Sequence, residues 1–195
     1  MLIGISGKYC AGKNAVAAIL EKRGFFLIDA DKLGHEALSR KKGRIVERFG
    51  KGILRPDGSV DRKRLGAIVF KDRKALRELE AITHPEIRAA AAELVRTHRE
   101  KGPVAIHAAL LFAMDFKERF DFVIWVDAPL GQRLVRAVRR DQAGLLHAIR
   151  RMWAQRKLAS KSSSVFTDMY TVINGGDLGS LEAQIDEILR KETQV

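Results

Sequence analysis

The chemistry this chain could perform is suggested first by Gly7, Gly12 and Lys13, in the stretch GKYCAGKN at residues 7–14. Their spacing is that of a P-loop, which normally ends in Ser or Thr. The glycines let the backbone turn tightly and bring its amides to phosphate oxygens, and the lysine reaches the terminal phosphates. We predict that a nucleotide's phosphates are cradled by nine consecutive residues, namely Gly7, Lys8, Tyr9, Cys10, Ala11, Gly12, Lys13, Asn14 and Ala15.

Asn14 departs from the P-loop pattern, because this position normally holds a hydroxyl that binds Mg²⁺. A carboxamide oxygen is also a hard donor that Mg²⁺ accepts. Asn14 is therefore the candidate metal ligand. Lys8 and Cys10 stand where many P-loop kinases have glycine.

Two carboxylates follow the second apolar run, in the stretch IDAD at residues 28–31. Asp29 and Asp31 lie on the same side of the chain if the extended geometry persists. A hydroxyl that accepts a phosphoryl group needs a base or an orienting carboxylate near the P-loop. We predict that Asp31 is this catalytic group; the alternative is that it caps the following helix.

A third set of candidate residues is the row Arg133, Arg136 and Arg140. Their spacing of three and then four residues places them on one face of a helix. Such a row is usually a solvated face. Beside a P-loop it could instead neutralise charge that develops on phosphoryl oxygens, and Arg140 is the favoured candidate.

These residues need elements that bring them together. The apolar run at 2–6, the helical pattern at 13–24 and the apolar run at 25–29 form a strand, a helix and a second strand. Further strands are predicted at 102–112, 121–129 and 169–176, with a closing helix at 180–191. Strands that alternate with helices predict an α/β fold with a parallel sheet flanked by helices.

The middle of the chain reads differently, with helical patterns from about residue 32 to 101 and a turn-rich interruption at 50–61. So long a helical stretch between strands suggests an inserted subdomain. The predicted organisation of residues 1–195 is a single domain with a nucleotide core (about 1–31 and 102–195), a helical substrate subdomain (about 32–101) and a helical lid (about 130–161).

Composition bounds the class of protein. The chain has 195 residues, and its 36 Lys and Arg against 24 Asp and Glu give a formal charge of +12, which favours anionic partners. The single Cys10 excludes an internal disulfide and fits a reducing compartment. No apolar run approaches the roughly 18 residues of a membrane span. We therefore expect a cytoplasmic protein; nothing in the residues predicts an oligomeric state.

The order of short motifs along residues 2–188 resembles that of the dephospho-CoA kinase family. The most specific part is DGSVDRKRLGAIVF at residues 57–70, followed by HPEI at 84–87. The other matching motifs are GKYCAGKN, LIDADKLGHEAL, VIWVDAP, RRDQ and VINGG.

The resemblance implies a P-loop kinase fold and transfer of the γ-phosphate of ATP to the 3′-hydroxyl of dephospho-CoA, with Mg²⁺. Asp31 would be the base and Arg140 the lid arginine. His84 and Arg88 would lie near the CoA-side substrate, and the substrates would be small molecules with no membrane partner. Asn174 and Gly175 of VINGG would lie beside the adenine.

On its own, His84 is more typical of a capping or packing residue, and Pro85 after it favours extended backbone at that point. The stretch VINGG could equally be a plain turn after a strand. Both alternatives stand beside the roles implied by the resemblance.

The residues are also compatible with other functions. Departures from the family pattern at Lys8, Cys10, Asn14 and Ala113 cluster on the phosphate side, which would suit a catalytically weak nucleotide- or CoA-binding homologue. A P-loop kinase for another small-molecule acceptor would share most of the motifs. Nucleic-acid binding would use the +12 charge, but no aromatic-plus-basic pattern supports it.

Overall fold

The parallel sheet predicted from the apolar runs is present in the computed structural model, which describes residues 1–109, 111–114, 116, 119–141 and 168–193. The strands are β1 (Leu2–Gly7), β2 (Phe26–Asp29), β3 (Val104–His107), β4 (Phe122–Asp127) and β5 (Met169–Ile173). Their order in the sheet is β2-β3-β1-β4-β5, and every neighbouring pair is parallel.

The described chain divides into two compact units, one of Met1–Asp29 with Val95–Val195 and one of Ala30–Leu94. The first unit contains the sheet, with the helices α1 (Lys13–Lys22), α6 (Leu130–Asp141) and α7 (Leu178–Thr193). Residues 142–161 of the predicted lid lie outside the described residues.

The core of the first unit explains why its strands read as apolar runs instead of alternating patterns. All six residues of β1 are buried, as expected for a strand covered on both faces. Ile3 and Ile5 belong to one apolar cluster with Leu20 of α1 and with Leu181 and Ile185 of α7. The two helices therefore hold the central strand in place, and with it the loop that follows.

The third strand is shorter than predicted. It ends at His107, and residues Leu111–Ala113 form a short 3₁₀ turn. Leu111 is buried in that turn, so the apolar run continues although the backbone has left the sheet. A continuous apolar run marks burial and does not by itself locate the end of a strand.

The second unit is helical, as predicted. It contains α2 (Ala30–Arg40), α3 (Lys42–Phe49), a 3₁₀ turn (Lys51–Ile53), α4 (Arg62–Val69) and most of α5 (Arg73–His98). Its own apolar core consists of Ile45, Ile53, Leu65, Val69 and Ala75. The turn-rich interruption contains one antiparallel bridge, between Leu54 and Val60.

The expectation of extended backbone at His84 is wrong, because His84 and Pro85 both lie inside α5. Proline disfavours but does not forbid a helical residue before it. Here Ile87 and Ala91 are buried on one face of α5, and the Thr83 hydroxyl donates a hydrogen bond to the Leu79 carbonyl at 2.9 Å. Packing of this face outweighs the local preference.

Among the described helices, none combines the length and the apolar character that crossing a membrane requires.

Candidate active site

The glycines of the P-loop occupy positions that other residues would not fit. Gly7 has φ +152°, and a Cβ added there would lie 2.2 Å from the Val126 carbonyl oxygen of β4. Gly12 has φ +99°, and a Cβ added there would lie 2.0 Å from the side-chain nitrogen of Asn174. Both are left-handed conformations that favour glycine. The spacing of the two glycines is therefore required by the geometry of the loop.

Lys13 is the first residue of α1, and its side chain folds back over the loop. Its Nζ donates to the carbonyl oxygens of Gly7 at 3.1 Å and Lys8 at 3.2 Å. No side chain caps the start of α1, whose N-cap residue is Gly12. The first-turn amides of an uncapped helix and a lysine ammonium together form an arrangement that binds phosphate.

Cys10 also has a left-handed backbone, with φ +56°. Its thiol is free and buried, and Cys10 belongs to a small apolar cluster with Tyr9, Ala137 and Leu134. Cys10 thus joins the P-loop to α6 through packing.

Lys8 forms an ion pair with Asp127, the last residue of β4. The other carboxylate oxygen of Asp127 accepts a hydrogen bond from the Ala128 amide at 2.7 Å. The Lys8 amide donates to the Val126 carbonyl at 3.0 Å, so both the backbone and the side chain of Lys8 are fixed to β4. Asp127 was not predicted as a site residue. Its position as an acidic residue at the end of an apolar strand could have indicated a role at the site.

Three of the four arginines of α6 contact the P-loop, and they are the three of the predicted row. Arg133 Nε donates to the Tyr9 carbonyl at 3.0 Å, and Arg136 Nη1 donates to the Ala11 carbonyl at 3.3 Å. The guanidinium carbon of Arg140 lies 4.8 Å from the centre of the Tyr9 ring, a cation–π contact. The helical face predicted from the spacing is therefore turned to the loop.

Arg133 and Arg136 belong to the row of candidates that the sequence indicates, but only Arg140 of that row was predicted as a site residue. Burial lowers the pKa of Arg133, and the Asp127 carboxylate opposes that shift. Because a guanidinium is not deprotonated in proteins, Arg133 remains a cation.

Asn174 and Gly175 lie beside the P-loop. The Asn174 side-chain amide donates to the Ala11 carbonyl at 2.9 Å, and its backbone amide donates to the Asp127 carbonyl at 2.8 Å. The Gly175 carbonyl accepts a hydrogen bond from Gln132 of α6 at 2.7 Å. The turn after β5 is thus fixed to both the loop and α6.

Asn14 is the residue predicted to bind a metal ion at this site. No group of three or more His, Cys, Asp or Glu suited to a metal occurs in the part of the chain that the structure describes. Asn14 is exposed in the first turn of α1. Its oxygen fits the preference of Mg²⁺ for one or two protein oxygens together with water and phosphate oxygens.

The other predicted residues belong to the second unit. Asp31 is exposed in the first turn of α2, two residues after β2 ends at Asp29. His84 and Arg88 are half-buried, one helical turn apart on α5. Burial lowers the pKa of His84; Glu80 opposes this shift and Arg88 adds to it.

The residues of the DGSVDRKRL motif have unequal roles in the second unit. The Asp57 carboxylate accepts hydrogen bonds from the Ser59 amide at 2.8 Å and hydroxyl at 2.6 Å, closing a turn. Asp61 caps α4 by accepting from the amides of residues 63 and 64. Arg62 lies 2.6 Å from His35 Nε2, and Phe70 is 79% exposed. The fold explains the two aspartates, whereas the Phe70 ring is left exposed.

A parallel sheet with a P-loop after its central strand and an arginine-bearing helix over that loop defines a P-loop kinase. The family model described as dephospho-CoA kinase matches residues 1–174. The chain belongs to the dephospho-CoA kinase family, and it is an ATP-dependent kinase of coenzyme A biosynthesis.

Curated relatives agree with this assignment along the whole chain. The dephospho-CoA kinase of Geobacter sulfurreducens is 40% identical and covers 97% of this chain and 98% of its own length. The dephospho-CoA kinase of Anaeromyxobacter dehalogenans is 36% identical, and the match covers 96% of this chain and 90% of that protein. The family predicted from the motifs is confirmed.

Solved structures confirm the predicted fold. A Thermus thermophilus protein matches with a TM-score of 0.80 and 28% identity, over 98% of this chain and 97% of its own. A dephospho-CoA kinase from Campylobacter jejuni matches with a TM-score of 0.61 and 24% identity, over 98% and 96%. A shikimate kinase from Acinetobacter baumannii shares the fold, with 18% identity and a TM-score of 0.52. The match covers 97% of this chain and 93% of that one.

Proposed function

We propose that this chain transfers the γ-phosphate of ATP to the 3′-hydroxyl of dephospho-CoA, giving ADP and coenzyme A. The observation that carries the proposal is the P-loop geometry, with Lys13 folded over the loop carbonyls and two left-handed glycines at the required positions. Such a loop binds the phosphates of a nucleotide, and the family membership supplies the acceptor.

In this mechanism Lys13 and amides of the P-loop, among them that of Gly12, hold the β- and γ-phosphates. The Lys13 ammonium already lies at the loop, so it needs only to exchange carbonyl partners for phosphate oxygens. Asn14 would be the protein ligand of Mg²⁺, because it offers an exposed oxygen in the first turn of α1. The ion, when bound, neutralises charge on the phosphate oxygens.

Asp31 is the proposed base for the 3′-hydroxyl. The carboxyl ends of parallel strands lie at one edge of a sheet, so β2 ends at the edge that carries the P-loop. Asp31 supplies an exposed carboxylate directly after that end of β2. The carboxylate accepts the hydroxyl proton as the oxygen attacks the γ-phosphorus.

Arg140 is proposed to neutralise charge on the transferring phosphoryl group. Its support is the contact with Tyr9, which places the guanidinium at the P-loop. An exposed cation–π contact is worth about 0.5–1 kcal/mol, so replacing that contact by one to a phosphate oxygen costs little.

The remaining assignments concern the substrates. Asn174 and Gly175 are proposed to contact the adenine of ATP, supported by their bonds to the P-loop and α6. The helical unit is proposed to hold the CoA-side substrate, with His84 and Arg88 contributing, and residues 130–161 to form the lid.

We further infer that the enzyme works in the cytoplasm. The support is the free and buried Cys10 thiol together with a metabolic kinase family whose substrates are ATP and a coenzyme precursor.

An acceptor panel tests the proposal. The protein is incubated with γ-labelled ATP, Mg²⁺ and one acceptor at a time: dephospho-CoA, adenosine monophosphate or shikimate. We expect label in coenzyme A alone, with the new phosphate on the 3′-oxygen by phosphorus NMR. Label in another acceptor would overturn the substrate assignment. Binding of ATP and dephospho-CoA without transfer would show a non-catalytic homologue.

A further inference from the structure

Two carbonyl groups of the P-loop are turned toward α6. The Tyr9 oxygen accepts from Arg133 Nε at 3.0 Å. The Ala11 oxygen accepts from two donors, Asn174 Nδ2 at 2.9 Å and Arg136 Nη1 at 3.3 Å. These are carbonyls of alternate residues, so α6 and the turn after β5 hold one side of the loop backbone.

The direction of a carbonyl fixes the direction of the next amide. In a planar trans peptide the C=O and the following N–H point to opposite sides. Turning the Ala11 oxygen toward Arg136 therefore turns the Gly12 amide away from α6, and the Tyr9 oxygen does the same for the Cys10 amide. A P-loop binds phosphate through such amides, so their direction determines affinity.

The Arg136 guanidinium is itself held by several oxygens. Besides Ala11, its Nη2 donates to the Asn174 carbonyl at 3.2 Å and to the Gln132 side-chain oxygen at 3.1 Å. The Gln132 side-chain nitrogen donates to the Gly175 carbonyl at 2.7 Å. Arg136 thus bridges the P-loop and the segment 174–175, and Gln132 orients it.

We propose that Arg136 is a positioning residue of the nucleotide site. It holds the Ala11–Gly12 peptide so that the Gly12 amide faces the phosphates, and it couples the P-loop to the segment 174–175, without touching the transferring phosphoryl group. The proposal rests on the P-loop being the ATP site, as proposed above.

The test compares two nucleotides and two variants. Binding of ATP and of ADP is measured by calorimetry for the wild type, Arg136→Ala and Arg136→Lys. A positioning role predicts that both variants weaken ATP and ADP by the same factor, about tenfold, because both nucleotides use the Gly12 amide. Lysine is expected not to restore binding, since one ammonium cannot reproduce the planar fork that bridges these oxygens.

Kinetics give an independent readout. Because Arg136 does not meet the transferring phosphoryl group, its variants are expected to raise the KM for ATP about tenfold and to change kcat less than about threefold. The matched control is Arg139→Ala, which removes an exposed arginine from the same helix and is expected to leave both constants unchanged.

A second variant keeps the proposal testable if Arg136→Ala does not fold. Gln132→Ala retains the arginine but removes one of its partners, and should weaken ATP and ADP equally, by about two- to fourfold. The double variant should be no weaker than Arg136→Ala alone, because the two residues act as one unit.

The opposing outcomes are distinct. Loss of ATP affinity with ADP affinity retained, or full restoration by lysine, would make Arg136 a direct γ-phosphate ligand and overturn the positioning role. Variants that bind both nucleotides like the wild type would also overturn it. If the wild type itself binds neither nucleotide, the proposed function fails instead.

Discussion

The Asn174 side-chain nitrogen donates to the Ala11 carbonyl oxygen at 2.9 Å, and it lies 2.0 Å from the point where a Cβ on Gly12 would stand. These two residues are far apart in the chain, yet the turn after β5 fits directly against the P-loop. The contact leaves room for a hydrogen at Gly12 and for nothing larger.

Gly12→Ala is therefore expected to displace Asn174 and to force an alanine into the left-handed conformation. Calorimetry should show ATP affinity reduced by at least about tenfold. Gly43→Ala is the control, because Gly43 lies in α3 with nothing within 4 Å of a Cβ. Unchanged ATP affinity in Gly12→Ala would contradict the geometry of the loop.

The glycines, Lys13 and the positions of the strands along the chain could be predicted because they follow from local patterns. The pairing of Lys8 with Asp127 could not, since it depends on the register of β1 against β4. The outward direction of the Ala11 carbonyl likewise depends on α6 and β5 meeting the loop.

The two errors in the fold have a common cause. Each prediction rests on a local preference: an apolar run predicts a longer β3, and the proline that follows His84 predicts extended backbone there. In both places burial decides the outcome, through Leu111 in the turn after β3 and Ile87 in α5.

Asp31→Asn tests the proposed base. The amide cannot take the hydroxyl proton, so kcat should fall by about 10²–10⁴-fold while ATP affinity stays within about twofold. Asp29→Asn is the matched control, because Asp29 is an exposed carboxylate two residues earlier. If the two variants lose equal activity, or Asp31→Asn retains full kcat, Asp31 is not the base.

Asn14→Ala removes the proposed Mg²⁺ ligand. The Mg²⁺ concentration for half-maximal activity should rise several-fold, because one oxygen donor is lost. Asn14→Thr restores an oxygen, so its Mg²⁺ concentration for half-maximal activity should lie between those of the wild type and Asn14→Ala. An identical Mg²⁺ titration for wild type and Asn14→Ala would show that the side chain does not bind the metal or its water shell.

Arg140→Ala should separate chemistry from binding. If the guanidinium acts on the transferring group, kcat falls by about 10³-fold, toward the lower end of the effect of an arginine finger, and ADP affinity hardly changes. This pattern is the opposite of that expected for Arg136. An equal loss of ATP and ADP binding in Arg140→Ala would assign it to positioning of Tyr9 and the loop.

The pH dependence of stability tests the environment of His84. Burial lowers the pKa of His84 in the folded state, so the unfolded chain takes up a proton that the folded chain excludes. This contribution to the free energy of unfolding is present above about pH 6.5 and is lost as the pH falls through the folded pKa. Urea unfolding should show that the free energy of unfolding falls less between pH 7 and pH 5 for His84→Gln than for the wild type. Equal falls in the two proteins would contradict the lowered pKa.

The stoichiometry of ADP to coenzyme A tests the central claim most directly. Purified protein is mixed with ATP, Mg²⁺ and dephospho-CoA, and both products are measured by chromatography as they form. A working dephospho-CoA kinase predicts one coenzyme A for each ADP and negligible ADP without the acceptor. ADP formed without coenzyme A, or neither product although both substrates bind, would contradict the account.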